Sequence, residues 1–163
     1  MNFTIKDATD EDAAGRGYVH YISWLETYSN LMPPEFLQKT SLERSIAIAK
    51  NHPNDVLAAI VNGTVVGFCG YSNISRDHIC IRNAAEIQGL YVLKAHHRQG
   101  IGKSLLNEAL ARLSGRSVAL YVLLGNENAI CFYKKAGFHF TGHRYEQEVP
   151  GGKLTELEML LEN

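Results

Sequence analysis

The chain has few cysteines, few prolines, no excess of either charge and no long apolar run, and each shortage excludes something. Its 163 residues carry 16 basic and 17 acidic side chains for a net charge of −1, whereas a general nucleic-acid binder carries a basic excess. The three cysteines, Cys69, Cys80 and Cys131, are odd in number and widely spaced, with no CxxC pair. No metal site or disulfide framework is expected, and Cys131 reads as a small buried residue. The opening Met-Asn-Phe-Thr-Ile-Lys-Asp lacks an apolar signal core, and no apolar run approaches membrane-spanning length. Neither a membrane nor a nucleic acid is expected as a partner, and a reducing cytoplasm is the default location. With no repeat, low-complexity tract or Pro/Gly-rich linker, residues 1–163 read as a single domain with room for a sizeable core.

What is present is a regular alternation of strand and helix signals. A first strand is expected over Phe3–Lys6. Thr9 with Asp12 resembles a helix cap, and the helix after it should reach Tyr28 with Tyr18, Tyr21, Leu25 and Tyr28 near one face. Pro33-Pro34 breaks it, and Pro34 can open a second helix through Phe36, Leu37, Leu42 and Ile46 towards Lys50. Asn62-Gly63 between two apolar runs is a hairpin signal, because both positions of a type I′ turn need positive φ. A polar loop covers Ser75 to Asn83, and a strand follows over Ala85–Val92. Ile101, Leu105, Leu106, Ala109, Leu110 and Leu113 share a helix face that ends at Ser114-Gly115. Val118-Ala-Leu-Tyr-Val-Leu-Leu is a strand buried on both faces. Strand, helix and strand here make a βαβ unit, so the two strands should be parallel. A helix from about Asn126 to Gly137 and a hairpin around Pro150-Gly151-Gly152 complete a mixed α/β chain.

The most informative stretch runs from Glu86 to Gly102. A buried strand leads into a basic turn, then into two glycines that open a helix, a natural pyrophosphate site. Gly102-Lys103-Ser104 matches the end of a P-loop, but the required first glycine is His97. A dinucleotide fingerprint needs a third glycine where Leu105 stands. The remaining pattern, Gln/Arg-x-x-Gly-x-Gly/Ala, resembles the acetyl-CoA motif of the GNAT (Gcn5-related N-acetyltransferase) superfamily at His97–Gly102, with His97 in place of Gln or Arg. Leu90-Tyr91-Val92 stands where that family's fourth strand offers backbone groups to pantetheine. Asn126-Glu-Asn-Ala129-Ile-Cys-Phe132-Tyr133-Lys-Lys-Ala-Gly137-Phe138 resembles the family's Asn-x-x-Ala-x-x-Phe-Tyr-x-x-x-Gly-Phe signature with every fixed residue present. Trp24-Leu-Glu-Thr-Tyr28 with Pro33-Pro34 is similar to small-molecule-type members.

The resemblance implies a GNAT fold, a twisted mixed sheet of about seven strands flanked by helices, with acetyl-CoA inserted where the central parallel strands splay. It implies acetyl transfer to a primary amine and no metal. Leu90, Tyr91, Val92, His97, Arg98, Gln99, Gly100, Ile101, Gly102, Lys103, Ser104, Asn126 and Tyr133 are the acetyl-CoA residues it points to. The acceptor it leads one to expect is a small molecule such as a polyamine, an amino acid or an antibiotic. The alternatives are a protein or peptide amine, or a non-catalytic acetyl-CoA sensor. A homodimer stays open.

The chemistry requires a base, because an alkylamine with a reference pKa of about 10.4 is protonated at neutral pH. Glu86, fourteen positions before Gly100, is the candidate, at the place of the catalytic glutamate in histone-acetyltransferase-like members. The alternative for Glu86 is an exposed strand residue or a partner for a basic side chain. Tyr133 is the candidate acid for the leaving thiolate, against a plain core tyrosine. Asn126 is a pantetheine contact, a helix N-cap, or both. The Val92 N–H is the candidate oxyanion donor. His96 and His97 read as surface residues and not as a metal pair. Tyr21, Trp24, Tyr28 and Glu86 are candidates for the acceptor site, against simple helix packing for the aromatics.

Overall fold

The computed structural model describes residues 2–162. Seven strands form one mixed sheet in the order β1-β2-β3-β4-β5-β7-β6. They are β1 (Thr4–Asp7), β2 (Val56–Val61), β3 (Thr64–Ser72), β4 (Ala85–Val92), β5 (Val118–Leu123), β6 (His139–Val149) and β7 (Gly152–Leu161). Five α-helices accompany them among the described residues: α1 (Ala13–Tyr28), α2 (Pro34–Leu37), α3 (Leu42–Asn51), α4 (Ile101–Arg112) and α5 (Glu127–Lys135). Neighbouring strands run antiparallel except β4 and β5, which are parallel across the α4 crossover. The hairpin turn is as expected: Val61 pairs Thr64, and Asn62 and Gly63 have φ of 48° and 79°.

Two expectations about the helices need correction. The expected helix from Pro34 to Lys50 is two helices. Ser41 is extended (φ −136°), and its hydroxyl accepts the Arg44 N–H at 3.1 Å, which starts α3 afresh. A serine that can satisfy an orphan helix donor favours a cap over a helix interior. The expected apolar face of α1 holds only in part: Tyr21 and Tyr28 are partly buried, but Tyr18 and Leu25 are exposed. The buried face carries Ala13, Arg16, Gly17, Val19 and Ser23. Small residues mark it because the backbones come close: a Cβ on Gly17 would lie 2.6 Å from Ile46 Cα on α3, and one on Gly15 2.8 Å from Val65 on β3. Arg16, only 2% exposed, donates to the carbonyls of Ala49 and His52 at 2.9 and 3.1 Å. It thus satisfies the C-terminus of α3 with a cation.

The sheet separates two apolar layers. On one face, α4 and α5 bury Leu57, Ile87, Ile101, Leu105, Leu120, Ile130, Tyr133 and Met159 among others. On the other, α1 covers Ala58 and Val65, and the loop from Asn73 to Ala84 covers Ala119 and Leu160. Cys131 corrects a smaller expectation: α5 turns it outward, and it is exposed. All three cysteines are free thiols. Among the described residues, no helix is long and apolar enough to cross a membrane.

Candidate active site

The parallel pairing of β4 with β5 covers two rungs only, Ala85 with Val118 and Glu86 with Ala119. Beyond them β4 continues six residues to Val92 on the β3 side, and β5 continues to Leu123 on the β7 side. The sheet therefore opens into a fork. Its β4 edge carries free backbone groups. Leu93 donates its N–H to Val66 at 3.0 Å, and alternation along an antiparallel ladder then turns the N–H of Val92, and of Leu90 before it, towards the fork.

At the mouth of the fork the chain makes the basic turn. Arg98 and Gly100 both have positive φ, 60° and 86°, and Gly100 is the N-cap of α4. A Cβ at Gly100 would meet nothing within 4 Å, and the nearest atoms to one at Gly102 would be the Phe132 ring and Leu90, at 3.7–3.8 Å. Gly100 is therefore required by its backbone conformation and not by crowding. The His97 N–H is taken by Lys94, and the next N–H with a main-chain acceptor in this turn is that of Ser104, bonded to Gly100 at 2.9 Å. Among the described residues the amides of 98–103 have no intramolecular acceptor, and helix and turn aim them outward as an anion nest. Arg98 and Lys103 are exposed beside it, Gln99 donates to the Ala95 carbonyl at 3.2 Å, and Ile101 is buried in the core, so it offers only backbone. His97, the departure from the motif, turns back: its ring Nε2 lies 2.8 Å from the Val92 carbonyl and ties the turn to the end of β4.

From the α5 side, Asn126 caps the helix by accepting the Ala129 N–H at 3.3 Å. The Tyr133 ring is buried, and its hydroxyl makes no hydrogen bond among the described residues. It lies within electrostatic reach of Tyr91 and Cys69, and Tyr28 is in turn within reach of it. Burial is the largest cause that drives the Tyr133 hydroxyl far above the usual phenol range, so it stays protonated. Burial likewise pushes the Cys69 thiol up to about 12, which makes it inert.

The opposite face of the fork is built by side chains. Trp24 and Tyr28 from α1 stack edge to face at 5.3 Å, and the Trp24 Nε1–H donates to the Tyr91 hydroxyl at 3.3 Å. Tyr21 takes no part in this cluster. Pro33 and Glu35 lean over the tip of the β6–β7 hairpin, where a Cβ on Gly151 would lie 3.1 Å from Pro33. Glu86 is fully buried, and its carboxylate is engaged by Arg76: the Arg76 Nε–H donates to Oε1 at 2.7 Å and the Arg76 backbone N–H to Oε2 at 3.0 Å. Of the alternatives for Glu86, partnership with a basic side chain is realised. The sequence reading missed two further carboxylates on β7. Glu158, also fully buried, accepts from the Cys80 N–H at 2.9 Å and the Thr141 hydroxyl at 2.7 Å, with the Tyr121 hydroxyl 3.2 Å away. It fastens the 73–84 loop to the sheet. Glu156 is half-buried with no hydrogen bond or ion pair among the described residues. The alternation in Leu154-Thr-Glu-Leu-Glu-Met was the available signal, since it places 156 and 158 on one face.

A seven-stranded mixed sheet flanked by helices and open between the parallel strands β4 and β5 has the architecture of the N-acetyltransferase fold class. The chain belongs to the Acetyltransferase (GNAT) family, whose sequence profile matches residues 18–138. N-alpha-acetyltransferase RimI of Mycobacterium tuberculosis is 32% identical over 104 residues, 64% of this chain and 62% of that protein. Spermidine N(1)-acetyltransferase of Thermoplasma acidophilum is 29% identical over 150 residues, 85% of this chain and 89% of that one. The crystal structure of a PaiA N-acetyltransferase from Thermoplasma acidophilum in complex with coenzyme A superposes with a TM-score of 0.70 at 26% identity, covering 96% of this chain and 98% of that one. The chain spans less than two thirds of the first two curated relatives it matches, 62% and 40% of their lengths.

Proposed function

We propose that this chain moves the acetyl group of acetyl-CoA to a primary amine of a small molecule, with residues 1–163 acting as one domain in a reducing cytoplasm. The observation that carries the reading is the fork itself, with unpaired amides along β4 and across 98–103. The donor set suits the carrier. A pyrophosphate needs several N–H donors and cations, which the nest with Arg98 and Lys103 supplies. A pantetheine arm carries amides, which pair with an open strand edge as a further strand would. When bound, acetyl-CoA supplies a thioester carbonyl activated towards amines.

The chain's own groups then have distinct tasks. The N–H of Val92 or Leu90 receives the developing oxyanion. The Tyr133 hydroxyl donates a proton to the departing thiolate, whose reference pKa of about 8.5 makes this help useful but moderate. Asn126 holds the start of α5, and with it the position of Tyr133. A carboxylate on the acceptor face takes the ammonium proton. The closure of Pro33 and Glu35 over the β6–β7 tip supports a short acceptor chamber, which suits a metabolite better than a polypeptide. Relatives named as a spermidine N(1)-acetyltransferase and as an N-alpha-acetyltransferase both occur, and the closure favours the metabolite reading.

Calorimetry with acetyl-CoA and with ATP, followed by thiol release across spermidine, shorter diamines and an alanine-terminated peptide, tests the reading. Micromolar acetyl-CoA binding and turnover on the amines are expected. Tight ATP binding without CoA binding overturns the cofactor assignment, and turnover confined to the peptide overturns the acceptor class. Binding without thiol release on any amine identifies a sensor. Sedimentation of the purified chain distinguishes monomer from homodimer.

A further inference from the structure

Two carboxylates could take the ammonium proton, and their positions differ. Glu86 stands on the last shared rung of β4 and β5, at the closed root of the fork, and is fully buried. Its oxygens are committed to the Arg76 guanidinium and backbone N–H. An approaching ammonium would have to displace a guanidinium, and the carboxylate would lose charge-assisted hydrogen bonds on protonation. Glu156 stands elsewhere. Its Cα pairs with Leu123, the last residue of β5, and with Tyr145 on β6. Leu123 lies four residues past Ala119, so Glu156 sits about 13 Å further towards the open end of the fork. That is the end where the free Val92 N–H lies.

We infer that Glu156 is the carboxylate that receives the proton of the acceptor ammonium, and that Glu86 with Arg76 is a fixed pair that positions the acceptor face. This rests on the acetyltransferase reading above. Every group facing Glu156 is compatible with the role. Tyr28 of α1, Tyr91 of β4 and Tyr121 of β5 lie within its electrostatic reach, as do Arg76 of the covering loop and Glu86 of β4; Tyr145 is its neighbour on β6. The three phenols are held above their ordinary range, burial being the largest cause, so none competes as a base at neutral pH. Burial, with a smaller contribution from Glu86, raises the Glu156 carboxyl above the ordinary glutamate value, against the attraction of Arg76. A carboxylate so placed is more basic than a solvated one and attracts a cation.

The protons balance. Glu156 accepts one proton from the ammonium, and the freed lone pair forms the C–N bond at the thioester carbonyl. The C–S bond breaks, and the thiolate takes a proton from Tyr133. The phenolate recovers a proton from the new amide nitrogen through water, and Glu156 releases its own to solvent. One amide, one thiol and one proton result for each ammonium and thioester consumed.

The test compares wild type with Glu156→Gln, Glu156→Asp and Glu86→Gln over pH 6 to 10, on the most reactive amine of the panel. Glu156→Gln should lower kcat at pH 7 by about 100-fold or more, with acetyl-CoA affinity by calorimetry unchanged. The loss should shrink as pH approaches about 10, where the amine loses its own proton. Glu156→Asp keeps a carboxylate and should restore the wild-type pH profile at a reduced rate. Glu156→Gln turnover within about threefold of wild type, or a loss equal at all pH, overturns the inference, as does Glu86→Gln giving the larger pH-dependent loss. Absence of acetyl-CoA binding or turnover in the wild type strikes instead at the parent reading. A readout free of turnover accompanies these: Glu156→Gln should melt higher than wild type at pH 7, because it removes an unpaired half-buried charge. A lower melting temperature points to a structural role and counts against the inference.

Discussion

The two sides of the β4–β5 fork are made of different material. The side that faces the proposed carrier is main chain: strand N–H groups at Leu90 and Val92, and the amides of 98–103 around Gly100. The side that faces the proposed acceptor is side chain: Trp24, Tyr28, Glu86, Tyr121 and Glu156, drawn from α1, β4, β5 and β7. A backbone surface recognises groups common to every CoA ester and tolerates substitution of its side chains. A side-chain surface can be changed one residue at a time. One family can therefore hold one carrier and vary its acceptors, and the chemistry specific to this chain lies on the second surface.

On that contrast, acceptor-face substitutions should cost more than carrier-face ones. The largest expected effect on stability is Arg76→Ala, which leaves the buried Glu86 carboxylate with one backbone donor. A loss on the order of 2–3 kcal/mol is expected by denaturant unfolding, and adding Glu86→Gln should recover most of it. Next is Tyr133→Phe, expected to slow thiol release by up to about 100-fold with calorimetric acetyl-CoA affinity nearly unchanged. A matching loss of affinity would make Tyr133 a packing residue instead.

On the carrier side, Arg98→Ala combined with Lys103→Ala should weaken acetyl-CoA binding by only about tenfold, because the amide nest remains. The difference should fade towards 1 M salt, where the screening length is about 3 Å. A 1,000-fold loss would show that side chains, and not amides, hold the carrier. Asn126→Ala should cost about 1 kcal/mol through its cap, read as a lower melting temperature, with turnover slowed only as far as Tyr133 shifts. The smallest effect concerns pH. The Glu156 carboxyl is raised in the folded state, so its charge costs stability above the folded pKa and nothing below the unfolded value near 4.5. The stabilisation by Glu156→Gln, about 2 °C or more at pH 7, should therefore vanish below about pH 4. A gain that persists at pH 3.5 would separate it from the carboxylate charge.

The same contrast explains what the residues revealed in order. The carrier side was legible because its determinants are local. Gly100 permits a left-handed turn and Asn126 caps the helix that bears Tyr133, each acting within a few residues of its partner. The acceptor side was not legible. Nothing near Glu86 in sequence shows that Arg76 folds back ten residues to occupy it. Nothing near Glu156 shows that a strand added between β5 and β6 brings it to the fork. Periodicity misled in part on α1, where Tyr18 and Leu25 face outward and close backbone packing at Gly15 and Gly17 marks the contact with β3 and α3.

By itself, then, the sequence determined the strands, the parallel crossover, the glycine turn that opens α4 and the family signature, because backbone conformation and apolar period are properties of short segments. Tertiary structure alone decided which carboxylate is free. That depends on the two-rung pairing of β4 with β5, on the covering loop that delivers Arg76, and on β7 lying beside β5. Whether a buried acid is paired or available is settled by groups distant in the chain, and only folding brings those together.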